Sequence, residues 1–270
     1  MPEASLIVST YNQPEWLEKV LWALEEQSYP DFEVVIADDG SGESTDRLLE
    51  RYRRKSSLAI QRVWHPDEGF RKTEILNRAI VASGADYLIF TDGDCLPRAD
   101  FIATHLALRA PGRFLSGGYY KLTREVSERI DRETVRTQAC FDPAWLRGHG
   151  QPRSAKDLKL TRSTAAATWL NRLTPTRPSW NGHNASAYRT DILAANGFDT
   201  RMKYGGEDRE FGERLVNAGV RPRQVRYSAI CVHLDHDRGY VTEDMIRANG
   251  AIREATRRER SVRTPFGITP

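Results

Sequence analysis

Hydrophobic positions in the first half of the chain switch between two periods. Leu6-Ile7-Val8 is a short continuous apolar run, followed by Leu17, Val20, Leu21 and Leu24 at the i, i+3, i+4, i+7 spacing of one helix face. Val34-Val35-Ile36 and then Leu48, Leu49 and Tyr52 repeat the alternation. Ile60 to Trp64 predicts a third strand, Leu76, Ala79 and Ile80 a third helix, and Tyr87 to Phe90 a fourth strand. Strands that are apolar at every position are covered on both faces. This rhythm therefore predicts an α/β fold, a Rossmann-like, mainly parallel sheet flanked by helices.

The later pattern is less regular. Phe114 to Tyr120 reads as a fifth strand and Glu125 to Thr137 as a charged helix. From Cys140 to Pro178 no period holds; a plain loop is the default expectation, and a mobile or partner-ordered segment the alternative. Order returns with a helix near Asp191 to Ala195, a turn at Asn196-Gly197 and a helix inside Gly205 to Gly219. A strand from Gln224 to His233 and a terminal helix from Thr242 to Arg260 complete the pattern.

Sheets of this kind bind ligands beyond the carboxyl ends of their strands. Four polar loops fall there and are predicted to share one rim: Ser9 to Pro14, Asp38 to Ser44, His65 to Thr73 and Thr91 to Cys95. Asp92 and Asp94 are the most demanding feature. Two close carboxylates raise each other's pKa unless a cation compensates or both face water, and a solvated Asp-Gly turn is the plain alternative. A divalent cation with a diphosphate would balance the pair, and Gly93 would let the backbone approach a bulky anion. Arg71 and Lys72 open a helix on the same rim, either as solvated helix charges or as phosphate holders.

Two further clusters carry candidate chemistry. In HLDHD, His233 to Asp237, an extended backbone would point His233 and His236 to opposite faces, whereas a helical turn would let them share a ligand. Imidazole with carboxylate suits a transition metal such as Mn²⁺. Glu207 and Asp208 follow Gly205-Gly206 at the start of a helix. The helix dipole alone explains acids there. The double glycine adds a tight turn that could push them into a cleft, as a hydrogen-bond acceptor and a general base.

Bulk properties narrow the partners. With 270 residues the chain can bury a substantial core, and three cysteines without a CxxC spacing suggest a reducing compartment. Forty basic against thirty-seven acidic residues, a formal charge of +3, give no argument for nucleic acid. Basic residues nevertheless outnumber acidic ones about two to one from Lys121 to Arg177, and six arginines face Glu254 and Glu259 from Arg247 to Arg263. The N-terminus does not read as a signal peptide, and no stretch has the length of a membrane span. A cytoplasmic protein is expected, with peripheral contact at the inner face of the cell membrane left open; the basic tail and the Trp169 segment would suit an anionic membrane surface.

SLIVSTYNQPEWL, FEVVIADDGS, GFRKTEILNRAI, YLIFTDGDCLP and NGFDTRMKYGGEDREFGERLVNAG, in that order, resemble the bacterial family 2 glycosyltransferases of the GT-A fold. From about Asn181 to His236 the chain is similar to the galactosyltransferase-like C-terminal half of many surface-polysaccharide and lipopolysaccharide transferases. The resemblance implies a metal-dependent inverting transferase that moves a sugar from a nucleoside-diphosphate sugar, most readily a UDP-sugar, to a glycan or lipid-linked glycan acceptor. It places Ser9, Tyr11 and Asp39 at nucleotide-cradling positions, with Asn12 in the same loop and Asp39 on the base. Asp92 falls near ribose or metal, and Asp94, His236 and His233 fall at the positions that hold Mn²⁺ or Mg²⁺. Glu207 matches the acceptor-binding acid, Asp208 the catalytic base, and Asn184 a position lining a sugar.

The implied organisation is a nucleotide-sugar-binding half (1–120), an acceptor and catalytic-base half (121–240) and a basic helical tail (241–270). Two rivals are a sugar-1-phosphate nucleotidyltransferase, for which STYNQP is the wrong opening loop, and a non-catalytic nucleotide-sugar or glycan binding protein.

Overall fold

The computed structural model describes residues 1–236 and 242–269. Asp237, the last residue of HLDHD, and the expected boundary after residue 240 lie outside the described residues. The first half follows the predicted rhythm: β1 (Ala4–Thr10), α1 (Pro14–Glu25), β2 (Phe32–Asp38), α2 (Glu43–Lys55), β3 (Ala59–Trp64), α3 (Lys72–Ala82) and β4 (Tyr87–Asp92). A short strand, β5 (Cys95–Pro97), and α4 (Phe101–Leu108) come next. They are followed by β6 (Arg113–Ser116), β7 (Gly118–Lys121), α5 (Arg124–Arg129), α6 (Arg132–Arg136), α7 (Pro143–Gly148) and α8 (Thr164–Leu173). The chain continues through β8 (Ala185–Tyr188), α9 (Arg189–Ala194), α10 (Glu207–Asn217), β9 (Arg221–Gln224), β10 (Ile230–His233) and α11 (Glu243–Glu259).

Seven strands form the main sheet in the order β3-β2-β1-β4-β8-β6-β9, and a small sheet runs β5-β10-β7. The pairs β3-β2, β2-β1 and β1-β4 are parallel, whereas β8 runs antiparallel to both β4 and β6. Apolar residues on both faces explain why the first strands read as continuous runs. Leu6, Val8 and Ile89 belong to one core with α1 and α2; Ile7, Leu88 and Phe90 belong to the other with α3 and α10. Trp180 fills the second core, its ring 5.3 Å from Phe90 and 4.8 Å from Phe211. Full burial of such a side chain contributes about 1.5–3 kcal/mol.

The second half departs from the sequence pattern in instructive ways. The expected strand from Phe114 to Tyr120 divides at Gly117, whose N–H donates to Asn184 O at 2.9 Å, so that β6 joins the main sheet and β7 the small one. Of the strand expected from Gln224 to His233, Ile230–His233 forms as β10, whereas Gln224 is the last residue of β9. The charged helix is two short helices, each with its own cap: Thr123 accepts from Val126 N–H and Asp131 from Thr134 N–H. Residues 140–178 are not a plain loop; they hold 3₁₀ turns at Ala139–Phe141 and Ala155–Leu160 as well as α7 and α8. Their helices are short and anchored by tertiary bonds such as Tyr120 Oη to Asp157 Oδ1 (2.8 Å), which leave no helical period to read. The tail helix α11 packs on α10, and Arg253 and Arg257 both pair with Glu213.

Candidate active site

The site is assembled where β1, β2 and β4 end together. Ser9 and Asp92 are register partners across the β1-β4 pair, and the Ser9 hydroxyl donates to Asp92 Oδ1 at 2.6 Å. Lys72 reaches the same oxygen from the first turn of α3, at 2.8 Å. Burial opposes both charges, but the pairing prevails. Lys72 holds the Asp92 carboxyl below its ordinary range, and Asp92, Asp208 and Glu207 together hold Lys72 well above its own.

Asp94 lies one turn further, facing the end of β10. His236 Nε2 is 2.7 Å and His233 Nε2 3.8 Å from Asp94 Oδ2. The strand ends at His233, the chain leaves the extended form, and the two imidazoles come to lie nearly parallel, 5.5 Å apart. This settles the choice between opposite and shared faces in favour of sharing. Burial works against the Asp94 charge, and the His236 hydrogen bond with the nearby His233 lowers its pKa nonetheless. The Cys95 thiol belongs to the same cluster, its ligand atom within 4.8 Å of those of Asp94 and His233. Burial raises its pKa well above the ordinary value, so it stays protonated and donates to Asp94 Oδ1 at 3.3 Å. Two imidazoles and an ionised carboxylate in one sheltered place are a donor set that fits a divalent transition metal.

Gly93, between the two aspartates, also has a role within the sheet. Its N–H donates to Ser9 O at 2.7 Å, and a Cβ there would stand 3.0 Å from Thr10 Oγ1. The close approach it permits is to β1, which locks the Asp-Gly-Asp turn onto the sheet.

The residues expected to cradle a nucleotide sit on the same rim. Asp39 is buried, with His65 Nε2 at 2.7 Å and the Arg71 N–H donating to it at 3.0 Å; burial raises its pKa. Tyr11 is exposed and donates to Asp67 Oδ2 at 2.7 Å. Asn12, at φ 47°, ties the loops together: its N–H donates to Ser41 Oγ at 2.8 Å and its Oδ1 accepts from Gly42 N–H at 3.0 Å. The structure separates Arg71 from Lys72. The Arg71 guanidinium forks onto Glu74 at 2.8 Å and also pairs with Glu68, while its backbone N–H donates to Asp39 on the rim.

The α10 terminus supplies the acids. Gly205 and Gly206 both have positive φ, 108° and 96°, a conformation that costs other residues energy. Glu207 turns back to accept from Gly205 N–H at 2.8 Å, and Asp208 Oδ2 accepts from Gly182 N–H at 2.8 Å. Asp208 Oδ1 is shielded from solvent and has no hydrogen-bond partner. Burial, and then the neighbouring Glu207, push the Asp208 carboxyl up to about 7. A carboxylate with one open oxygen and a pKa near neutrality, electrostatically coupled to Lys72, is suited to accept a proton.

Asn184 lies beneath the rim rather than on its surface. It is fully buried, its amide donates to Gly118 O (2.8 Å) and Ala229 O (3.0 Å), and its Oδ1 faces His105 Nε2 at 3.0 Å. Both amide donors are used within the protein, and the side chain joins the two sheets. The residues that sequence reasoning missed are His65 under Asp39, Cys95 beside Asp94, and His183, whose ring lies 4.6 Å from Tyr119. Burial lowers the His183 pKa to about 4, so it is neutral between the charged groups. Each stands within a loop already marked by its polar motif, which is the signal that could have found it.

Residues 5–129 match the model of Glycosyl transferase family 2. Over 254 residues the chain is 28% identical to validoxylamine A glucosyltransferase of Streptomyces hygroscopicus subsp. jinggangensis, an overlap of 88% of this chain and 57% of that protein. The chain thus spans little more than half the length of this relative. Among solved structures, S. aureus TarS in complex with UDP aligns with a TM-score of 0.62 at 17% identity, covering 94% of this chain and 64% of the other. The mannosyltransferase PcManGT from Pyrobaculum calidifontis, in complex with GDP-Man and Mn²⁺, aligns with a TM-score of 0.58 at 23% identity, covering 88% and 59%. At such identities the likeness establishes the fold, which is GT-A.

Proposed function

We propose that residues 5–129, a family 2 glycosyltransferase domain, act with the remainder of the GT-A fold as a metal-dependent, inverting glycosyltransferase. In this reading residues 1–120 hold the nucleotide sugar and residues 121–240 the acceptor. The observation that carries it is the open oxygen of Asp208, with its pKa near 7, on the rim shared with the Lys72-Asp92 pair and the Asp94-His236 cluster. The donor is a nucleoside-diphosphate sugar, in our reading a UDP-sugar. The TarS and PcManGT complexes, with UDP and with GDP-Man and Mn²⁺, support a nucleotide-sugar donor and a divalent metal.

Asp39 would meet the base, with Ser9, Tyr11 and Asn12 lining the nucleotide cradle. Lys72 would share the charge of the diphosphate. Asp94, His236 and His233 would hold Mn²⁺, or Mg²⁺, which as a Lewis acid neutralises charge on a departing diphosphate. Glu207 would orient the acceptor. Asp208 would take the proton from the acceptor hydroxyl as its oxygen bonds to the anomeric carbon and the bond from that carbon to the diphosphate breaks, which inverts the centre.

The acceptor class is a glycan or lipid-linked glycan of surface polysaccharide or lipopolysaccharide assembly. No helix among the described residues is long and apolar enough to cross a membrane. Exposed Trp169 and Leu173 on α8, with Arg172 between them, suit contact with an anionic membrane surface, which flotation with anionic vesicles at two salt concentrations tests.

The primary experiment measures UDP release from a panel of UDP-sugars with and without Mn²⁺, for the wild type and Asp208→Asn. Metal-dependent release that the substitution abolishes is expected. UDP binding without turnover on any glycan acceptor would favour a binding protein instead.

A further inference from the structure

Most arginines of this protein are ion-paired: Arg62 with Asp38, Arg98 with Asp100, Arg109 with Glu3, Arg214 with Glu210. The segment Ala155–Leu160 carries Lys156, Asp157 and Lys159. Tyr120 Oη holds it through Asp157, and Lys159 Nζ donates to Tyr119 O at 2.9 Å and lies 5.5 Å from the Tyr119 ring. Arg226 approaches the same strand closely, since a Cβ on Gly118 would stand 2.8 Å from Arg226 Cβ. Among the described residues, Lys156, Lys159 and Arg226 form no ion pair with a carboxylate, while their neighbours Arg147 and Lys121 pair with Asp157 and Asp235. The repulsion is felt: burial and then Arg226 and Lys156 lower the Lys159 pKa.

The patch adjoins the chemistry. Tyr119 is exposed, and its ring lies 4.6 Å from His183 and 5.5 Å from His233. In the small sheet β10 lies between β5 and β7, with Cys231 paired to Tyr119 and His233 paired to Cys95, the residue after Asp94. The nucleotide rim, with its own cation Lys72, is built instead from β1, β2 and β4.

We propose that Tyr119, Lys159 and Arg226 form an acceptor subsite for a negatively charged sugar, whose carboxylate or phosphate sits against the two cations. The inference rests on the transferase reading and deepens it by assigning an acidic acceptor. Lys159 and Arg226, neither of them ion-paired with a carboxylate, would be stabilised by an anionic ligand, and guanidinium and ammonium groups suit both carboxylate and phosphate.

The test is ligand-observed NMR titration with methyl β-D-glucuronide, glucose 6-phosphate and methyl β-D-glucoside, with and without UDP and Mn²⁺. In the wild type at least one charged probe is expected to bind about tenfold more tightly than the neutral glucoside, and whichever does identifies the anion. In the Lys159→Ala/Arg226→Ala double variant that ratio should fall to near one, with UDP affinity unchanged. Equal affinities in the wild type, or a ratio that survives the double substitution, would overturn the subsite. A parallel loss of UDP affinity would also overturn it, by assigning the cations to the donor diphosphate. Failure of the wild type to bind UDP with Mn²⁺ would sink the transferase reading itself, while the ratio in UDP-free protein still decides whether an anion site exists.

Discussion

Lys72 Nζ stands 2.8 Å from Asp92 Oδ1, joining the start of α3 to the end of β4 at the centre of the rim. Side-chain exposures of 20% and 24% shelter the pair without sealing it. Replacing Lys72 by Met should cost about 2 kcal/mol, less than a fully buried pair because water can still reach the abandoned carboxylate. Adding Asp92→Asn should recover part of that loss, a coupling that denaturant titration of the four variants measures. Nucleotide affinity should fall in the Lys72 variants alike, since the cation is gone in both.

Asp208→Asn should lower kcat by about 10²-fold or more while leaving UDP affinity nearly unchanged. Wild-type turnover should rise with pH through about 7, the position to which burial and Glu207 raise the Asp208 carboxyl. Stability has the opposite sign. A carboxyl with a raised folded-state pKa stabilises the fold below its ordinary value of 3.8 and loses that contribution as pH rises through about 7. At pH 8 the Asn variant should therefore be more stable than the wild type, by roughly 1 kcal/mol or more. Thermal unfolding at pH 5 and pH 8 gives the comparison.

Removing Asp94 or His236 addresses the metal. Asp94→Ala and His236→Ala should each weaken Mn²⁺ binding by about 10- to 100-fold or more, and with it the Mn²⁺-dependent part of UDP affinity. Titration of UDP with and without Mn²⁺ checks this; a metal effect of wild-type size in either variant would remove that residue from the ligand set.

Asn184→Ala tests the reassignment of that residue. Gly118 O, Ala229 O and His105 Nε2 would all lose a buried partner, for a cost of about 3 kcal/mol in stability. Acceptor KM should not change beyond what partial unfolding explains. A normal stability with a raised KM would return Asn184 to the sugar site.

His105 lies in the same network, its Nδ1 2.7 Å from Ser186 Oγ, and burial lowers its pKa to about 4. A histidine depressed in the folded state stabilises above its ordinary value of 6.5, and that contribution is lost as pH falls from 6.5 towards 4. His105→Gln should flatten the loss of thermal stability over that interval.

The sequence by itself determined the parallel half of the fold and the rim. A strand buried on both faces must be apolar throughout, as Leu6-Ile7-Val8 and Tyr87 to Phe90 are, and the polar residues that follow such a strand fall at its open end. Ser9, Asp39, Lys72, Asp92 and Asp94 were legible for that reason. What local pattern could not supply was any relationship across the chain. Whether His233 and His236 share a partner depended on how the chain leaves β10, and whether Asn184 was open to a ligand depended on carbonyls of residues 118 and 229. The Arg71 side chain was claimed by Glu74, and Lys159 was carried beside Tyr119 by a segment with no period of its own. Hydrophobic periodicity reports burial along an element, which is local; the partner of a buried polar group is set by whichever distant backbone the fold brings to it, and only the tertiary structure decides that.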